Sequence, residues 1–271
     1  MMVRACFLFL LAATFFLSAC GPPSPPAVMN YIEDRGLLRI DETHSVSYIR
    51  GGDHDGQRVI YIHGTPGSAQ AFEHYIAEPI PGTESISIDR FGFGKSLPHG
   101  SVPSLQEQAS AVEPFLTQQN GKWPILVGHS LGGPIAARAA ADYPERVGGL
   151  VILAGAFDPA LEHVTGLQKF GNFAFVPRIL PSDIRNMNRE LIPLKGELQS
   201  LQPLLKNIRC PIVIIHGKED QLVPFSNVEY LHEHLPAGSI SAEFIFEHEN
   251  HFIPWTEEPA VRAGIEHLLQ K

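Results

Sequence analysis

Gly128-His129-Ser130-Leu131-Gly132-Gly133 is the segment of this chain best suited to chemistry. It follows the apolar run Ile125-Leu126-Val127 and leads into an alanine-rich stretch of helix-forming composition. G-x-S-x-G between a strand and a helix makes a sharp turn that lifts a serine hydroxyl above the sheet edge. The backbone of that serine is strained, so the residues two places away must be small, and both are glycine. The helix N-terminus that follows favours negative charge developing at the turn. A serine hydroxyl is a poor nucleophile until a base takes its proton, so Ser130 calls for a histidine farther along, with an acid to orient it.

Both stand in the required order of serine, acid, histidine. Asp220 lies on the turn after the apolar run Ile212–His216, and His251 follows the last strand-like run. Asp220 would accept from His251 and hold its tautomer, while His251 would deprotonate Ser130 and later protonate the leaving group. His248 is a competing base, and Asp158 and Glu219 are competing acids; as solvated loop residues they have a simpler explanation. A tetrahedral intermediate also needs two donors aimed at its oxyanion. One is the backbone N–H of Leu131. The second is expected from the loop His63-Gly64-Thr65-Pro66-Gly67-Ser68, with Thr65 the donor.

The elements that must position these groups alternate along the chain. Strands are expected at Val46–Arg50, Val59–His63, Ser85–Asp89, Ile125–Gly128, Gly149–Leu153, Ile212–His216 and Ala242–Phe246. Several are apolar at successive positions, which means both faces are buried, as in a parallel sheet covered by helices. Helices are expected near Ala69–Glu78, Ser104–Gln119, Leu131–Asp142, Ser226–His234 and Pro259–Gln270, and the order predicts an α/β sheet fold. Gly51, Gly52 and Gly56 read as a hairpin-type turn. Residues 156–209 separate two strands by more than one helix requires and predict a small helical cap. Its Phe157, Leu161, Phe170, Phe173, Phe175 and Leu180 are expected to form the cap's own core or to line an acyl pocket.

The whole chain narrows the partners. Its 271 residues suit one domain, and a formal charge of −9 without a Lys/Arg cluster excludes a nucleic-acid partner. Arg4, the apolar stretch Cys6–Leu17 and then Leu17-Ser18-Ala19-Cys20 read as an export signal, the run being too short to span a bilayer. Residues 1–19 are therefore expected to be removed. Residues 20–35, with Gly21-Pro22-Pro23-Ser24-Pro25-Pro26, form a proline-rich tether of about 3.1 Å per residue. A hydrolytic domain is expected over residues 36–271. Of the three cysteines, Cys6 falls in the removed segment, and Cys210 reads as a small buried hydrophobe rather than a nucleophile. Gly94-Lys95-Ser96 is not a phosphate loop, because the first glycine it would need falls at Asp89. His232-Glu233 is not a zinc motif, because Pro236 replaces the second histidine. The thirteen histidines show no ligand spacing, and no metal is expected.

Taken together, His63-Gly64-Thr65-Pro66-Gly67, Asp89-Arg90-Phe91-Gly92-Phe93-Gly94-Lys95-Ser96, Gly128–Gly133, His216-Gly217-x-x-Asp220 and His251 resemble the successive landmarks of the α/β-hydrolase superfamily. The likeness runs from about Leu37 to Leu269, to the branch related to esterases, epoxide hydrolases and haloalkane dehalogenases. The last two carry aspartate at the elbow where this chain has Ser130. The resemblance implies a mostly parallel sheet with a cap, no cofactor, and an acyl-serine route that transfers an acyl group to water. It implies small ester, thioester or amide substrates, with acyl transfer to an alcohol and a non-catalytic binding protein as rivals. Related iminopeptidases carry glycine at the place of Thr65, which counts against a peptidase. The residues around Cys20 resemble the lipobox of bacterial lipoproteins. That likeness implies lipidation of Cys20, a membrane partner through the lipid anchor, and a place in the bacterial cell envelope. Gly21 resembles a signal for outer-membrane sorting.

Overall fold

The computed structural model describes residues 35–163 and 181–271. The expected signal segment, Cys20, nearly all of the tether, and Phe170, Phe173, Phe175 and Leu180 of the cap lie outside the described residues. Eight strands form one sheet: β1 (Arg35–Arg39), β2 (Ser45–Gly52), β3 (Gln57–Ile62), β4 (Thr83–Ile88), β5 (Ile125–His129), β6 (Gly149–Leu153), β7 (Ile212–Gly217) and β8 (Ile240–Phe246). Their spatial order is β1-β2-β4-β3-β5-β6-β7-β8. The pairs β1/β2 and β2/β4 are antiparallel and every other pair is parallel.

The seven expected strands are present to within a few residues, and β1 is an addition. It starts at Arg35, inside the stretch read as tether. Short, half-exposed and antiparallel at the sheet edge, it lacks the continuous apolarity that marks the central strands. The reading of Gly51, Gly52 and Gly56 as a hairpin turn is wrong, because β4 lies between β2 and β3. The pairing explains why: β3 is satisfied on both edges by β4 and β5, leaving β2 to pair with β4.

Helices cover both faces. They are α1 (Glu73–Ala77, after a 3-10 turn at Ala69–Phe72), α2 (Leu105–Ser110), α3 (Gly132–Asp142), α4 (Ser182–Leu191), α5 (Leu194–Leu201), α6 (Ser226–His234), α7 (Ile253–Thr256) and α8 (Glu258–Leu269). The expected helix at Ser104–Gln119 is cut short, and only a 3-10 turn at Glu113–Phe115 follows α2. Pro114 donates no hydrogen bond and its ring would meet the carbonyl of Ser110, so the helix cannot run on. Among the described residues no helix is long and apolar enough to cross a membrane.

The apolar runs divide as the strand period demands. Leu126, Ile152 and Ile214 point to the core packed with α3 and α5; Ile125, Val127, Val151 and Val213 point to the core packed with α8. Because both faces are buried, each parallel strand carries apolar residues on each side, and the polar chemistry is pushed to the loops at the strand ends. Among the described residues between β6 and β7, α4, α5 and a 3-10 turn (Gln202–Asn207) are helical.

Candidate active site

The sheet's parallel strands all end on one side, and their C-terminal loops collect the candidate site residues, the usual location for a site in an open α/β sheet. Ser130 directly follows β5 and holds φ at +54, a left-handed conformation that a non-glycine residue adopts only under constraint. Its N–H donates to Leu153 O at 2.9 Å and its carbonyl accepts from Gly133 N–H at 3.0 Å, so the turn is pinned from both sides. The flanking glycines are demanded by contact. A Cβ on Gly128 would stand 2.3 Å from Gly132 O, and one on Gly132 would stand 2.1 Å from Ile62 O. Leu131 leads into α3, whose first N–H groups have no partners within the helix.

Asp220 follows β7, and its side chain is fully buried. Oδ1 accepts from the N–H groups of Leu222 at 2.9 Å and Val223 at 2.8 Å. That leaves Oδ2 for His251, whose Nδ1 donates to it at 2.7 Å. With Nδ1 carrying the proton, Nε2 of His251 is the basic nitrogen. The competing groups lie elsewhere: His248, fully at the surface, faces Glu219 at 3.2 Å. Asp158 accepts from Ala160 N–H at 2.8 Å and so closes its own turn.

His129, beside the serine, ties the two ends of the site. Its Nε2–H donates to the backbone carbonyl of His251 at 2.9 Å, and the two rings lie 4.8 Å apart. Burial first, then the neighbouring His251, lowers the pKa of His129 to about 3, so its ring stays neutral. His216, lowered chiefly by burial, is neutral too; Nε2–H donates to Val223 O at 3.0 Å and lies 3.6 Å from Asp220 Oδ2. Neither histidine was singled out from sequence. The H-G-x-x-D pattern and the residue preceding the serine were visible signals, but their partners are 7 and 122 residues away.

The loop after β3 packs against the serine: a Cβ on Gly64 would stand 2.8 Å from Ser130 Cβ. Gly64 O accepts from His63 Nδ1–H at 2.7 Å and from Arg90 Nη2–H at 3.0 Å. The carboxylate of Glu190, on α4, receives both terminal nitrogens of Arg90 at 3.0 and 3.2 Å. Arg90 and Glu190 are both buried and 100 residues apart; sequence reading met Arg90 only inside a landmark motif and gave neither residue a role. The Gly94-Lys95-Ser96 segment is structural, with Lys95 N–H and Ser96 Oγ–H both bonded to Asp89. Cys210 is buried and its thiol pKa is pushed up to about 12 by that burial, as suits a packing residue.

Strand order, elbow and strand-end loops define the α/β-hydrolase fold. A family model of that description matches residues 57–187. A 2-hydroxy-6-oxononadienedioate/2-hydroxy-6-oxononatrienedioate hydrolase of Pseudomonas is 24% identical over 223 residues, 68% of this chain and 78% of that enzyme. A proline iminopeptidase of Neisseria meningitidis is 29% identical over 120 residues, 43% of this chain and 38% of its own length. Other curated relatives are likewise matched over less than two thirds of their length, 41% to 57%. An esterase from Exiguobacterium antarcticum superposes with a TM-score of 0.65 at 21% identity, covering 87% of this chain and 99% of that one. The chain has the α/β-hydrolase fold.

Proposed function

We propose that this chain is a serine hydrolase that cleaves a carboxylic ester or thioester through an acyl-serine intermediate. The observation that supports it most is the buried His251–Asp220 hydrogen bond of 2.7 Å, whose imidazole lies 4.8 Å from the ring of His129, the neighbour of a serine held at φ +54. In this reading Ser130 Oγ attacks the substrate carbonyl while His251 Nε2 takes its proton. Asp220 keeps the imidazole in the tautomer that can do so and steadies the imidazolium that results. The carbonyl oxygen, now anionic, is received by the N–H groups of Leu131 and Thr65. Collapse breaks the bond to the alcohol or thiol, which leaves with the proton from His251. Water then enters by the same path, releases the acid and restores the serine.

Ser130→Ala is expected to lower turnover of short p-nitrophenyl esters by about 10⁶-fold with the fold intact. Substantial turnover in that variant would remove the nucleophile. The likeness to an iminopeptidase supports a second reading, in which the same three residues act on an amide of an envelope peptide; a panel of dipeptide amides beside esters of graded acyl length separates the two. The reading also places residues 1–19 as a lipoprotein signal and Cys20 as a lipidated anchor to the cell envelope. Cys20→Ser is expected to abolish palmitate labelling and release the protein from membranes; unchanged labelling would refute the anchor.

A further inference from the structure

Resting on the serine-hydrolase reading, we propose that Arg90 is a positioning residue for the oxyanion hole. Gripped by Glu190 of the cap helix α4, it holds the Gly64–Thr65 peptide with the Thr65 N–H turned toward the nucleophile.

A single peptide plane carries the argument. Among the described residues the cis bonds are Thr65–Pro66 and Leu97–Pro98, so Gly64–Thr65 is trans, and its N–H and C=O point in opposite directions. The carbonyl is anchored twice, by Arg90 Nη2–H at 3.0 Å and by His63 Nδ1–H at 2.7 Å. Whatever pulls that oxygen toward the buried guanidinium aims the Thr65 N–H the other way. Gly64 itself lies against Ser130, where a Cβ on Gly64 would stand 3.4 Å from Ser130 Oγ, and in the proposed arrangement the Thr65 N–H faces that side. With the peptide turned over, a carbonyl oxygen would face the oxyanion, and one donor would be lost to repulsion.

Arg90 also sets its fellow anchor. Its backbone N–H donates to His63 Nε2 at 3.1 Å, which leaves Nδ1 as the protonated nitrogen that reaches Gly64 O. The guanidinium in turn is held by two further groups. Glu190 receives both terminal nitrogens, and the plane lies 4.8 Å from the centre of the Phe93 ring. Glu190 is steadied by Gln108 Nε2–H at 3.2 Å. One turn earlier on the same helix, Asn186 donates to Gly92 O at 2.7 Å and to His99 O at 2.9 Å, seating α4 on the loop that carries Arg90. A buried ion pair is a poor means of attaching a helix, since apolar residues of similar volume hold it as well. What this pair adds is a directed donor at Gly64 O. The cap helix and the oxyanion hole are thereby coupled through one guanidinium.

The test pairs the double variant Arg90→Met/Glu190→Leu with the wild type; it removes both charges and leaves none buried alone. Turnover of p-nitrophenyl butyrate and affinity for phenylboronic acid, which forms a tetrahedral anion on a nucleophilic serine, are the two readouts. The clamp predicts that kcat and boronate affinity each fall about tenfold to hundredfold, while KM stays within about threefold and thermal unfolding remains cooperative. Values of kcat and boronate affinity within about twofold of wild type would overturn it. Should the double variant not fold, Arg90→Lys is judged by the same two readouts. It keeps a charge opposite Glu190 but lacks the fork that reaches Gly64 O as well. A wild type that neither hydrolyses the ester nor binds the boronate would overturn the hydrolase reading and the clamp with it. An active wild type with unaffected variants overturns the clamp alone.

Discussion

Asp89 and Asp220 occupy nearly matching surroundings at the ends of β4 and β7. Both side chains are fully buried, and each accepts two backbone N–H groups and one side-chain donor. Asp89 takes Ala69 N–H at 2.7 Å, Lys95 N–H at 3.0 Å and Arg35 Nη1–H at 2.6 Å. Asp220 takes Leu222 and Val223 N–H at 2.9 and 2.8 Å and His251 Nδ1–H at 2.7 Å. The partner makes the difference. A guanidinium never gives up its proton in a protein, so Asp89 can only fasten β1 and the loops around it. An imidazole exchanges its proton near neutral pH, so the same acceptor geometry at Asp220 can serve a reaction. A buried carboxylate therefore signals function here only through what it holds.

Replacing each carboxylate by its amide breaks or sharpens this contrast. Asp220→Asn keeps an oxygen for the Leu222 and Val223 N–H groups but can offer His251 an amide donor, which favours the wrong tautomer. If the proposed hydrolase reading holds, kcat on p-nitrophenyl esters falls about 10⁴-fold with little change in melting temperature. A loss below tenfold would strip Asp220 of its proposed role. Asp89→Asn is expected to reverse the pattern, costing about 2 kcal/mol of stability through the lost charge-assisted bond to Arg35. Its kcat should stay within about threefold of wild type. Denaturant titration beside steady-state kinetics decides this, and a kcat that collapses without loss of stability would erase the distinction.

Per pH unit, the smallest effect is in acid. His129 is neutral in the folded protein, with its pKa lowered to about 3 by burial and by His251. The unfolded chain takes up a proton at this ring below about pH 6.5 while the native state does not, so stability is lost as pH falls through that window. The expected slope from this one group is about 1.4 kcal/mol per pH unit between about pH 6 and pH 3. His129→Gln should flatten the stability–pH curve by that amount, whereas Asp89→Asn should leave the contribution of His129 in place. Equal slopes in wild type and His129→Gln would show that the ring is not held neutral.

How much of this was legible follows the reach of each interaction. The elbow was readable because its residue pattern lies within five residues, although only the Gly128 constraint, set by Gly132 O, is local, and Gly132 is held small by Ile62 O on β3. Strands β5, β6 and β7 were readable because burial on both faces leaves unbroken apolar runs, and Asp220 and His251 because each falls just after a strand in the expected order. The edge strand β1 left no such run, and Pro114 shortened α2 against an otherwise helical composition.

From sequence alone came the α/β alternation, the candidate nucleophile and its order with the candidate acid and base, and the insertion between β6 and β7. Tertiary structure alone placed β4 between β2 and β3, tied His129 to the carbonyl of His251, and set Arg90 between Glu190 and Gly64 O. The physical reason is common to all three. Periodic burial and tight turns constrain neighbouring residues and so mark the chain itself, whereas hydrogen bonds across dozens to more than a hundred residues constrain only positions in space.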